Sequence, residues 1–155
     1  MTVREKYDVL VGVVGKQAVT TSVRLGAVNR FWNERIRPTS DAEAWGRPEY
    51  WPTLQEILDR YGHSEYAKGA CATFALAKLG TLAALGVPTC QLAYAEVSTA
   101  AGIGHMIALW MPDGGVQPYV LDMLPGWQDR IRPLEQRQDL RVKRIYRYET
   151  GEQIS

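Results

Sequence analysis

Gly69-Ala70-Cys71-Ala72-Thr73-Phe74-Ala75 is the stretch on which the reading of this chain turns. The residues that follow, Phe74 to Leu85, are rich in Ala and Leu and close on Gly86-Val87-Pro88, a helix stop signal. Cys71 therefore stands at the start of a predicted helix. A thiol there meets the positive end of the helix dipole and backbone N–H groups without intrahelical acceptors, a setting that favours thiolate. Downstream come Gly104-His105-Met106 and Val120-Leu121-Asp122, which place a histidine and an aspartate at the ends of apolar strands. Cysteine, histidine and carboxylate are the nucleophile, base and orienter that thiol-based acyl transfer needs. A small thiol before an Ala-rich helix equally suits a packed core. Its company, and the order Cys, His, Asp along an α-then-β pattern, favour the catalytic reading.

The elements run helices first and strands later. Residues 2–19 predict a helix broken near Gly12 and Gly15, and Thr20 to Arg35 carry a helical stripe through Val23, Val28, Phe31, Trp32 and Ile36, with Asn29 and Asn33 one turn apart. Pro38-Thr39-Ser40-Asp41 is a turn, with Ser40 or Asp41 capping a short helix. Thr53-Leu54-Gln55-Glu56 matches a capping box that opens a helix to about Tyr61. Beyond Pro88, strands are predicted over 90–97, 105–111, 117–122 and 142–148, with Cys90 a core strand residue and Asp113-Gly114-Gly115 a hairpin turn. Pairing through that turn sets opposite residues at numbers that sum to roughly 228, which brings His105 opposite a position beside Asp122. Both residues alone have bland readings, a satisfied strand histidine and a strand-end carboxylate before Pro125-Gly126.

Composition excludes several function classes. A chain of 155 residues, 46% hydrophobic and 23% charged, suits one domain over 1–155 that buries a substantial core. A formal net charge of +1 with interleaved signs gives no electrostatic case for nucleic acid. Two cysteines make no disulfide framework, and two histidines without a Cys/His cluster make no zinc site. Nothing approaches the run of about eighteen apolar residues that spans a membrane. The apolar stretch Val9 to Val14 follows Asp8, ends at Gly15-Lys16 and has no cleavage site, so the expected location is cytoplasmic.

Many further pieces stand in one order with consistent gaps: Asn29-Arg30-Phe31-Trp32-Asn33, Trp45-Gly46, Tyr50-Trp51-Pro52-Thr53-Leu54-Gln55-Glu56, Lys78, Leu82, Leu92-Ala93-Tyr94, His105 to Leu109 and Arg137-Gln138-Asp139-Leu140. With the Cys71 and Asp122 segments they make the chain, from about 28 to 148, resemble the bacterial transglutaminase-like cysteine proteinases. The best-understood members of that family trim periplasmic biofilm adhesins. The resemblance implies an α+β papain-like/transglutaminase-like cysteine peptidase fold, N-terminal helices followed by an antiparallel sheet. It also implies a peptidase acting on a protein or peptide substrate. Carried over residue by residue, it makes Cys71 the nucleophile, His105 the general base and Asp122 the orienting carboxylate.

The chain also departs from the family. Members usually carry acidic residues around the nucleophile, as in Gly-Asp-Cys-Glu-Asp-Tyr, and use them to hold calcium. Here those positions are Ala70, Ala72, Thr73 and Phe74. Calcium takes six to eight oxygen ligands, and methyl groups supply none, so the expectation is a peptidase without a metal cofactor. Tyr50, Trp51 and Trp110 are candidates to wall a peptide groove, with aromatic core as the plainer role. Three alternatives stay open: a phage tail-associated enzyme with virion partners, a cell-wall-directed amidase or peptidase, and a non-enzymatic binding module on the same scaffold. Delivery to the periplasm by another machine is compatible with each.

Overall fold

The computed structural model describes residues 1–17, 19–112 and 117–154. Side-chain caps define the helical half. Helix α1, Val3–Lys16, opens on a capping box: Thr2 accepts from the Glu5 N–H at 3.2 Å, and the Glu5 carboxylate accepts from the Thr2 N–H at 3.0 Å. It runs unbroken through Gly12 and Gly15, against the sequence expectation. Each interior glycine costs only about 1 kcal/mol. Burial of Val3 and Tyr7 and the Val3 N–H bond to the Ser64 carbonyl anchor its first turns.

Helix α2, Thr21–Arg35, is capped by Thr20 and buries Leu25, Val28, Asn29 and Trp32. A short strand, β1, Ile36–Pro38, follows and leads to helix α3, Asp41–Trp45, whose cap is Ser40. Helix α4, Leu54–Tyr61, carries the expected Thr53/Glu56 capping box. Strand β2, Ala67–Gly69, then pairs parallel with β1, an element the sequence pattern did not predict because three residues show no periodicity. The ladder delivers the chain to helix α5, Cys71–Ala84. A Cβ on Gly69 would lie 2.3 Å from the Thr73 side chain, so only glycine lets β2 run this close to the first turn of α5.

Helix α5 is buried from Ala72 to Leu82, with Thr73, Lys78 and Thr81 enclosed among apolar residues, the pattern of a central core helix. Helix α2 is tied to it by the Trp32 indole, which donates to the Thr81 hydroxyl at 2.8 Å. At its C-terminus Gly86 takes φ 89°, and the Gly86 and Val87 N–H groups return to the carbonyls of Ala83 and Leu82. The expected strand start at Cys90 is corrected here. Thr89–Gln91 is a single 3₁₀ turn, and Cys90 is exposed in it because Pro88 forces a turn before extension can begin.

The sheet contains β3, Leu92–Thr99, β4, Gly104–Trp110, β5, Tyr119–Leu121, β6, Arg132–Pro133, and β7, Leu140–Arg147. All neighbours are antiparallel, in the order β6-β5-β4-β3-β7. Paired residues of β4 and β5 sum to 229, one step from the sequence expectation. The Asp113-Gly114-Gly115 turn itself lies outside the described residues. One apolar cluster joins the helices to Leu92, Tyr94, Met106, Ala108 and Leu121. A second is built from Ala93, Ala95, Val97, Ile107, Leu109, Met111 and Val120, backed by Leu134, Leu140, Val142 and Ile145. Among the described residues no helix is long and apolar enough to cross a membrane.

Candidate active site

Cys71 is the first residue of α5, half-buried, with a free thiol. The preceding Ala70 offers no side-chain cap, so the turn is held by the Thr73 and Phe74 N–H bonds to the Ala70 carbonyl, at 3.0 and 3.3 Å. The Thr73 hydroxyl accepts from the Trp45 indole at 3.2 Å. The rings of Tyr50 and Tyr61 flank Trp45 at 5.4 and 5.6 Å, and the Tyr61 hydroxyl donates to the Ala44 carbonyl. An aromatic brace thus grips helix α5 two residues beyond the Cys71 thiol.

His105 enters from the start of β4, opposite Val97 of β3 and buried to 9% exposure. Asp122 follows directly on β5 and is 1% exposed. Their side chains meet: His105 Nε2 lies 2.7 Å from Asp122 Oδ1. The Cys71 side chain interacts with the same ring. Burial opposes charge on His105, but the hydrogen bond to Asp122, followed by the interaction with Cys71, raises its pKa from 6.5 to about 9. Burial likewise opposes charge on Asp122. Its bond to His105 and its contact with Arg137 outweigh that and lower its pKa to about 2. Such a pair is an ionised carboxylate holding an imidazolium at neutral pH.

The backbone around Asp122 is also fixed. Asp122 Oδ1 accepts from the Met123 and Leu124 N–H groups at 2.7 and 3.3 Å. Asn33 Nδ2 donates to the Asp122 carbonyl and to the Gln128 carbonyl, each at 2.9 Å, and Asn29 Nδ2 donates to the Gln128 carbonyl at 2.9 Å. The one-turn spacing of Asn29 and Asn33, visible in the sequence, thus positions the loop after β5. Lys78 escaped functional notice there. It is fully buried two turns after Cys71, its Nζ lacks a hydrogen-bond partner among the described residues, and burial lowers its pKa to about 7 against the pull of Asp122.

The three aromatic groove candidates fall in different places. Tyr50 packs on Trp45, and its hydroxyl donates to Glu56, so it belongs to the brace beside Cys71. Trp51 is exposed and sets its edge against Tyr94 and Tyr146, each at 5.9 Å. Trp110 packs on Tyr119 at 5.6 Å and donates to Gln91 at 3.0 Å. It stands at the other end of β4 from His105, roughly 17 Å along the strand, so the structure does not bring it to the site.

Residues 12–144 match the family model of the bacterial transglutaminase-like cysteine proteinases, BTLCP. The fold is similar to that of Legionella pneumophila LapG in its calcium-bound form, with a TM-score of 0.74 and 24% identity over 91% of this chain and 72% of that one. A second LapG structure gives 0.73 with the same identity and coverage, and an EGTA-treated one gives 0.73 over 90% and 69%. No curated protein matches the chain by sequence. With the family model covering most of its length, the chain belongs to the bacterial transglutaminase-like cysteine proteinases and is a cysteine peptidase of the transglutaminase-like type.

Proposed function

We propose that this peptidase cleaves a protein substrate through Cys71, His105 and Asp122, by way of a thioester. The observation that carries the reading is the 2.7 Å contact between buried His105 and Asp122, on a ring that also engages Cys71 at a helix N-terminus. His105 takes the thiol proton, and the sulfur becomes the nucleophile. The sulfur attacks the scissile carbonyl carbon, and its oxygen takes the negative charge. The Cys71 backbone N–H, free of an intrahelical acceptor in the first turn, is the donor placed to meet that oxygen. His105 gives its proton to the leaving amine as the C–N bond breaks, which leaves the acyl group on sulfur. Neutral His105 then takes a proton from water, whose oxygen attacks the thioester and frees the acid and the thiol. Asp122 holds the ring throughout and keeps its negative charge.

The same reading includes independence from calcium. A calcium site beside the nucleophile needs clustered oxygens. Ala70 and Ala72 supply none, and the Thr73 hydroxyl is engaged by Trp45. Among the described residues, no three His, Cys, Asp or Glu side chains come together as a metal would require. The alanines at positions 70 and 72 are what supports this part of the reading.

Mass spectrometry of the wild-type protein incubated with an unfolded protein substrate tests the mechanism. Cleavage products should appear, and an acyl adduct should map to Cys71. Cys90 is exposed, so thiol labelling must be read in a Cys90→Ser background. There iodoacetamide should modify Cys71 at neutral pH. Undiminished cleavage by Cys71→Ala would overturn the assignment.

A further inference from the structure

We propose that Arg137, backed by Asp139, is a positioning residue for the catalytic reaction. It would extend the site to a chain that runs Asp139, Arg137, Asp122, His105, Cys71. The inference rests on the Cys71-His105-Asp122 reading above and adds the group that fixes the carboxylate's second oxygen.

Asp122 has two oxygens with separate duties. Oδ1 is shared by His105 and two backbone N–H groups. Oδ2 takes the Arg137 Nη2 donor at 2.9 Å. Without that bond the carboxylate could turn about its Cβ–Cγ axis and present either oxygen to the ring at a different angle. Charge-assisted bonds at this distance are among the strongest a buried site can make. Arg137 is 2% exposed, so its contact with Asp122 is shielded from water and salt.

Arg137 is itself locked from two further directions. Its Nε and Nη2 donate to Asp139 Oδ1 and Oδ2, both at 3.0 Å, a forked contact that only a guanidinium can make. Its plane lies over the Trp127 ring at 4.0 Å. Asp139 is partly exposed, so the chain of charges runs from solvent through Arg137 to the buried triad. A buried arginine held by two carboxylates and an indole is a costly construction for stability alone. Apolar residues of like volume commonly do as well or better. What it supplies here is a carboxylate of fixed orientation and charge behind the catalytic ring.

The test compares Arg137→Met, Arg137→Lys and Asp139→Asn with the wild type and with Cys71→Ala. Four quantities are read: kcat, KM, melting temperature, and the deshielded His105 Nε2 proton in the NMR spectrum at neutral pH. By analogy with the partners that orient metal-bound histidines, Arg137→Met should lower kcat by about 10- to 100-fold with KM little changed. Lysine keeps the charge but not the fork and should restore part of that loss. Asp139→Asn lies at the solvent end and should cost less, with unchanged melting temperature. The Nε2 proton signal should broaden or shift in all three.

A merely structural Arg137 gives a lower melting temperature with wild-type kcat and an unmoved Nε2 signal. That result overturns the proposal and leaves the triad intact. Should Arg137→Met fail to fold, wild-type kcat and signal in Asp139→Asn overturn it equally. Full activity in Cys71→Ala overturns the triad and this proposal together.

Discussion

Cys71 and His105 are held by opposite kinds of physics. Around Cys71 the neighbours are Ala70, Ala72, Thr73 and Phe74, with a helix turn closed by backbone bonds and braced by the Trp45 indole. Around His105 the support is ionic: Asp122, Arg137 and Asp139 form one run of charge-assisted contacts. Packing is indifferent to pH and salt. Buried charge is not, because every ionised member depends on its partner's state. The chemical sensitivity of this enzyme therefore lies at the sheet end and its mechanical rigidity at the helix end.

The largest effect expected is on the two reacting groups. Cys71→Ala should abolish cleavage, and His105→Ala should cost nearly as much. The double variant should be no worse than either, since members of one catalytic unit do not add. Initial rates on one substrate decide it, and additive losses would break the picture of a single unit.

Asp122→Asn comes next. Activity should fall by orders of magnitude, because the amide offers the ring the wrong partner. The sequence alone suggests that melting should move little. The structure changes that expectation, because Asp122 also pairs with buried Arg137. The variant should lose about 1–3 kcal/mol as well, measured by urea unfolding.

The ionic end also predicts how stability follows pH. His105 is raised from 6.5 to about 9, so its stabilisation is complete below about pH 6.5 and disappears as pH rises through 9. Asp122 is lowered from 3.8 to about 2, so its share is complete above about pH 4 and disappears as pH falls towards 2. The urea midpoint should therefore be highest between about pH 4 and 6.5. Replacing His105 with Gln should flatten the alkaline decline, and a decline that persists would assign it to another group.

At the packed end the effects are smaller. Thr73→Val removes the acceptor of the Trp45 indole and should cost about 1 kcal/mol, with the pH profile of stability unmoved. Calcium at millimolar concentration should leave the melting temperature and the rate unchanged. A ligand of the native state alone would raise stability in proportion to its binding. A clear upward shift would show that carboxylates elsewhere hold the ion.

Much of this was legible from residues alone where the information is local. The Thr53/Glu56 box, the Ser40 cap and the stop at Gly86-Val87-Pro88 are short-range hydrogen-bond and backbone preferences, and the helices begin and end at them. The Asp113-Gly114-Gly115 turn signal between two apolar runs sufficed to anticipate the β4/β5 pairing to within one residue. The one-residue difference matters, because a single step of register turns every side chain of a strand to the other face.

Other features belong to the tertiary structure. The β1/β2 ladder joins segments about thirty residues apart and has no pattern of its own. Helix α1 keeps its glycines because neighbouring turns are anchored by burial, while Cys90 leaves the core because Pro88 delays the strand. The jobs of Asn29, Asn33, Lys78 and Arg137 were invisible for one reason. A polar residue's role depends on what it meets across the fold, and side-chain chemistry encodes what it can bond, not which partner the packed chain will set beside it.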